Sequence, residues 1–196
     1  MTHSGEVHLI IGPIGAGKDT MANTINERNK DDSDIIVLRV KFVELAKRLV
    51  EQIYHVDLSF DTVYDEWKKI PGNREKLIDV AEGARKVFGE DFWAKETVHS
   101  METMIEGAFE NALYPIFVIS DLRYPFEFKC VQKFCEKYGL ALDVQFVNYK
   151  SERYALNRNQ PGEQLPIYLV DKGYQPGTWT SRAFEEILKD YTKLHP

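Results

Sequence analysis

Val7–Ile11 is a short run of apolar, mostly β-branched residues broken only by His8, and it stops at Gly12. Gly12-Pro-Ile-Gly-Ala-Gly-Lys-Asp-Thr20 follows, and a helical pattern opens at about Lys18 with Met21, Ala22 and Ile25 on one side. A buried strand, a glycine-rich turn and a helix in immediate succession leave few architectures open: the strand belongs inside a sheet whose faces are covered by helices. The rest of the chain keeps the alternation. Ile35–Val40, Pro115–Ser120 and Leu140–Val147 have strand character, with Pro115–Ser120 the clearest. Phe42, Ala46, Leu49 and Ile53 recur at helical spacing, as do Leu77, Ala81, Ala84 and Phe88. Further helices are expected from about Trp93 to Asn111, through Phe128, Val131, Cys135 and Tyr138, and through Phe184, Ile187, Leu188, Tyr191 and Leu194.

The expectation is an α/β fold in one domain over residues 1–196, with a parallel sheet flanked by helices. The second quarter, about 41–112, is wholly helical and forms an insertion suited to a second substrate. Residues 150–180 are polar and carry Pro161, Gly162, Pro166, Gly173, Pro176 and Gly177, so they are expected to form a mobile loop. At 196 residues the chain buries enough surface to fold without disulfides or metal. Cys130 and Cys135 match no zinc spacing and are expected as reduced thiols on a helix. The net charge of −6 argues against a polymeric nucleic-acid partner while leaving room for a small anion held by local cations. No apolar run is long enough to span a bilayer and no leader pattern opens the chain, so no membrane partner is expected and the location is expected to be cytoplasmic. The composition does not fix the oligomeric state; a homodimer is entertained alongside a monomer.

The nine-residue loop matches G-x-x-x-x-G-K. Glycines let the backbone turn with positive φ and bring N–H groups against phosphate oxygens without a Cβ in the way. The helix start adds the positive end of its dipole, and the lysine adds a mobile full charge at the β- and γ-phosphates. Gly12, Gly15, Ala16, Gly17, Lys18, Asp19 and Thr20 are therefore the candidate nucleotide-binding residues. The hydroxyl that ordinarily follows the lysine as a Mg²⁺ ligand is replaced by Asp19, with Thr20 one place later, so both are candidate metal-side groups. Asp19 fits three roles: contact with metal or its water, a base toward an acceptor, or a cap on the helix N-terminus.

Ile116-Phe-Val-Ile-Ser-Asp121-Leu-Arg123 places an acid and an arginine at the carboxyl end of a buried strand, where open parallel sheets keep their ligand crevice. Asp121 suits metal-water, a proton or an acceptor hydroxyl, and Arg123 suits phosphate. Arg85 and Lys86 close one helix and Trp93 opens the next. They suit acceptor phosphate and base, or equally an ordinary helix junction around a core tryptophan. Lys150, Arg153 and Arg158 are spaced cations that suit a lid over phosphates, or a solvated loop.

Gly-x-x-Gly-Ala-Gly-Lys-Asp-Thr at 12–20, Gly-Ala-Arg-x-x-Phe-Gly-Glu-Asp-Phe-Trp at 83–93 and Ile-Ser-Asp-Leu-Arg-Tyr-Pro at 119–125 together resemble the deoxynucleoside monophosphate kinases of bacteriophages and other large DNA viruses. The resemblance covers residues 12–125, with the arginines extending it to about 158. It implies an adenylate-kinase-like fold, Mg·ATP as donor, a deoxynucleoside monophosphate as acceptor and a host-cytoplasmic location. By position it implies Lys18 and Thr20 on ATP phosphates, Arg85, Asp121 and Arg123 at the acceptor or reacting phosphates, and Trp93 near the base. The sequence is also similar to animal-type phosphomevalonate kinase. That family has extra basic residues in the loop where Pro13, Ile14 and Ala16 stand here, and adjacent arginines where Tyr124 follows Arg123. A guanine-nucleotide switch is a third reading. Asn29-Lys-Asp-Asp32 fits N-K-x-D but lies too early, and no D-x-x-G occurs.

Overall fold

The computed structural model describes residues 4–58, 61–148 and 161–195. In chain order these give β1 (Glu6–Ile11), α1 (Lys18–Asn29), β2 (Ile35–Val40), α2 (Glu44–Tyr54), α3 (Asp61–Lys69), α4 (Asn73–Phe88), α5 (Phe92–Glu110), β3 (Tyr114–Leu122), α6 (Pro125–Tyr138) and β4 (Ala141–Phe146). A 3₁₀ turn (Pro161–Glu163), α7 (Gln164–Asp171), β5 (Gly177–Thr180) and α8 (Ser181–Leu194) follow. The sheet order is β2-β3-β1-β4-β5. The first four strands are parallel, and β5 runs antiparallel to β4 at the edge. The chain is thus an α/β fold with a five-stranded, mostly parallel sheet between helices.

The two faces of the sheet follow from side-chain alternation along the strands. Val7, Leu9, Ile11, Phe117 and Ile119 point into the main core, which α5, α6, α7 and α8 complete through Met101, Ile105, Phe128, Phe134, Leu169 and Phe184. Ile10, Ile116 and Val118 point to the other face, where α1 lays down Ala22 and Ile25. β3 is covered on both sides, so Pro115–Ser120 is buried throughout, and this is why it carried the clearest strand pattern.

Between β2 and β3 the regular elements among the described residues are the helices α2, α3, α4 and α5. This region has its own core of Ala46, Val50, Leu58, Trp67, Leu77 and Trp93. α5 serves both cores, since Ala94, Met101 and Ile105 belong to the main one. The apolar stripes fray at their ends: Ile53 and Phe88 are exposed, and on α2 the buried side is Ala46, Lys47 and Val50.

The loop expected over 150–180 is corrected for its second part; residues 149–160 lie outside the described residues. Residues 164–171 form a helix with Leu165–Leu169 buried, and Gly177 opens a strand. Pro166 misled because a proline in the first turn of a helix removes no intrahelical hydrogen bond. Trp179 of β5 stacks on Phe146 with centroids 5.4 Å apart. Cys130 and Cys135 are free thiols on α6, the second buried.

Candidate phosphate-binding site

Two neighbouring strands send their connections in opposite directions. β1 leads through α1 past β3 to β2, whereas β3 leads through α6 past β1 to β4, on the other face. In an open α/β sheet such a switch point opens a crevice beyond the strands' carboxyl ends. The Gly12–Gly17 loop follows β1, and Ser120–Arg123 lies at the end of β3, its parallel neighbour.

Gly12 is required by packing: a Cβ there would lie 2.2 Å from the carbonyl oxygen of Val147, at the end of β4. Gly15 and Gly17 take φ of 79° and 88°, the left-handed region that favours glycine. Between them Ala16 is buried beside Ile10 and Val147. Gly17 is the N-cap of α1, and no side chain caps that end among the described residues. Its first-turn amides carry the helix's partial positive charge toward the crevice. Lys18 folds back over the loop, its Nζ donating to the carbonyls of Gly12 (2.7 Å) and Pro13 (3.0 Å). Burial holds its amine down to about 8, and the Arg123 charge pushes the same way; Glu163, Asp121 and Asp19 pull it back up. The residues expected at the site therefore act on one another electrostatically. A bound polyphosphate fits this donor set: it offers Lys18 a full counter-charge in place of two carbonyls.

Asp19 does not cap α1. Its exposed carboxylate meets Ser120 Oγ at 3.3 Å, Lys41 Nζ at 3.5 Å and Arg39 Nη2 at 3.8 Å. A carboxylate already facing two cations has its charge matched without a metal. Thr20 is exposed in the first turn of the same helix. Lys41, one residue past β2, was missed in the sequence; its place at a strand's carboxyl end was the signal that singles it out.

Asp121, near the end of β3, has both oxygens engaged: Oδ1 accepts from the Phe42 amide (3.0 Å) and Oδ2 from Val43 (3.1 Å), at the entry to α2. Burial pushes its carboxyl up, against the pull of those amides, Arg123 and Lys41. Its observed work is to hold the helical insertion to the sheet. Arg123 is tied at both ends. Its amide and that of Tyr124 donate to Glu127 Oε2 (2.7 and 3.0 Å), and its Nη1 donates to Glu163 Oε1 (2.8 Å). Arg85 reaches the same place from α4: Nη1 lies 3.3 Å from Tyr124 Oη and the guanidinium 4.7 Å above the Tyr124 ring. Its Nε is buried with no partner among the described residues. Tyr64 of α3 is also within electrostatic reach of Arg123, and Lys47 Nζ sits 4.1 Å over its ring.

Two expectations are corrected. Trp93 is 4% exposed, its Nε1 donates to the Ala81 carbonyl at 3.0 Å and its ring meets Phe92 edge-on, so it is a core residue with no free face for a base. Lys86 is exposed and joins none of these contacts among the described residues. Arg153 and Arg158 lie outside the described residues. Glu163 was missed outright, because it falls in the stretch that composition assigns to a loop.

No protein-family model matches this chain and no curated protein sequence matches it. Among the described residues no helix is long and apolar enough to cross a membrane.

Proposed function

We infer that this protein is a P-loop phosphotransferase that moves the γ-phosphoryl group of ATP to a deoxynucleoside monophosphate, giving ADP and the diphosphate. One observation supports the reading: Lys18 and the uncapped start of α1 follow β1, while Arg123, whose neighbour Tyr124 also meets Arg85, follows β3, the adjacent parallel strand. Transfer between two anions needs cations at both, and one lysine cannot screen donor and acceptor together. An acceptor phosphate oxygen forms the new bond to the γ-phosphorus while the bond to the bridging oxygen breaks and ADP leaves with the electron pair. Lys18 holds the donor phosphates as that charge develops. Arg123 and Arg85 hold the acceptor phosphate in line. Asp121 keeps the helical insertion at the crevice through the Phe42 and Val43 amides. Mg²⁺ bound with ATP would supply charge neutralisation to the donor phosphates, and Thr20, exposed in the first turn of α1, would offer it a hydroxyl.

The deoxynucleotide as acceptor rests on the motif resemblance. The burial of Trp93 removes the stacking argument for a base and favours keeping a phosphomevalonate-type acceptor as the second reading. A switch protein is less well supported. Asn29 closes α1, about 18 Å of helix away from the phosphate loop, and its Nδ2 donates to Ile25. Coupled ADP release with Mg·ATP and a panel of nucleoside and deoxynucleoside monophosphates plus mevalonate 5-phosphate tests the reading. Turnover confined to deoxynucleotides is expected. Turnover of mevalonate 5-phosphate alone replaces the acceptor class, and acceptor-independent hydrolysis removes the kinase reading.

A further inference from the structure

Glu163 is a carboxylate only 2% exposed, yet it reaches both the glycine-rich turn after β1 and the arginine after β3. Its two oxygens are divided between two partners from different parts of the chain. Oε2 accepts from the Ile14 amide at the tip of the phosphate loop (2.9 Å), and Oε1 accepts from Arg123 Nη1 (2.8 Å). Burying a carboxylate is costly unless charge-assisted hydrogen bonds offset the loss of water, and here both oxygens have such donors. Arg123 itself is 35% exposed, so its side chain keeps contact with solvent beside this bond.

The residues around Glu163 make it an anchored group. Immediately after it, α7 sets Leu165, Tyr168 and Leu169 into the main core. Immediately before it, Gly162 lies against Arg123 and Tyr124: a Cβ there would meet Arg123 Cδ and Nη1 at 3.2 Å and Tyr124 Oη at 3.3 Å. The backbone of Arg123 is fixed separately by buried Glu127, through the 2.7 Å bond from its amide. One arginine is therefore held at its backbone by α6 and at its guanidinium by the turn before α7. The second holder also grips the loop that faces the donor.

We propose that Glu163 is a positioning residue: it sets the Arg123 guanidinium against the tip of the Gly12–Gly17 loop and so fixes the separation of the two phosphate-holding centres. The proposal rests on the phosphotransferase reading. Glu163 contacts no substrate in this role; it acts through Arg123 and Ile14. A displacement of a reacting group by about 1 Å costs on the order of 100-fold in rate, so a tether of this kind acts on turnover.

The test is a double-mutant cycle of Glu163→Gln and Arg123→Ala in the full chain, reading kcat, both KM values and melting temperature. Gln keeps the size of Glu and satisfies one of the two donors, so Glu163→Gln is expected to fold. In the native background kcat should fall about 10- to 100-fold with the KM for ATP changed less than about threefold. With Arg123 already Ala, the same change should cost less than about threefold, because residues that act through one another are not additive. Equal losses in both backgrounds, or native kcat in Glu163→Gln, overturn the proposal. If the native protein turns over no phosphorylated acceptor, the functional reading has failed and the tether is judged apart from it, by ¹⁵N-resolved spectra of the arginine side chains. An Arg123 guanidinium signal that is restrained in the native protein and averaged in Glu163→Gln supports the tether; an unchanged signal overturns it.

Discussion

Lys18→Met isolates the cost of keeping a charged amine under the phosphate loop. In the folded protein burial brings its pKa from 10.5 to about 8. Below that value the amine is protonated in folded and unfolded chains alike, and the fold carries the whole penalty. Between the two values the unfolded chain holds a proton that the folded chain has lost, so stability rises with pH. The gain between pH 7 and pH 10 is about 2–3 kcal/mol. Methionine has no such titration. The stability of native protein relative to Lys18→Met should therefore rise by about that amount across this range, measured by urea unfolding at several pH values. At neutral pH the variant should be at least as stable as the native protein, less the loss of two hydrogen bonds to Gly12 and Pro13, at about 1 kcal/mol each. Its turnover should fall on the order of 10²- to 10³-fold, and Mg·ATP should protect it less against heat. A stability difference that stays flat with pH would show that Lys18 is not desolvated, and the argument for a phosphate-ready amine would go with it.

Trp93→Ala should destabilise the fold by about 3–5 kcal/mol in urea unfolding, as expected for a core aromatic, with any remaining folded enzyme keeping its acceptor KM. Asp19→Asn should melt within about 1 kcal/mol of the native protein, because the exposed carboxylate caps nothing, while turnover drops as Lys41 and Arg39 lose their counter-charge. Arg123→Ala should raise the acceptor KM more than the KM for ATP in steady-state kinetics. Burial pushes the Glu127 carboxyl up from 4.5 to about 8, with Asp121 adding to the shift, so its contribution is fully present below about pH 4.5 and is lost progressively as pH rises to about 8. Glu127→Gln should remove that decline in pH-dependent melting.

β1, β3 and β4 were legible because they are buried on one or both faces and so appear as apolar runs, with Pro115–Ser120 the extreme case; β5, mostly exposed, carries no such run. The glycine-rich turn after β1 was legible because its glycines stand where positive φ or close approach is needed, at Gly15, Gly17 and Gly12. Asp121 and Arg123, at the end of β3, were singled out because strand ends in parallel sheets face a common edge. Their division of labour was not: the local pattern around Asp121 is silent about Phe42 and Val43, whose amides arrive from far away in the chain. Trp93 shows the converse, since an aromatic beside basic residues looks the same in sequence whether it lines a pocket or fills a core. Glu163 lay hidden because prolines and glycines around it suggested a loop, although Pro166 sits in a helix's first turn and Leu165, Tyr168 and Leu169 anchor the segment.

The most direct measurement follows the γ-phosphorus itself. In ³¹P NMR of the protein with Mg·ATP and deoxynucleoside monophosphates, the account predicts that ATP is consumed as ADP and a deoxynucleoside diphosphate appear together, with inorganic phosphate staying at background and the reaction stalling in Lys18→Met. Release of inorganic phosphate with the monophosphates untouched would contradict it.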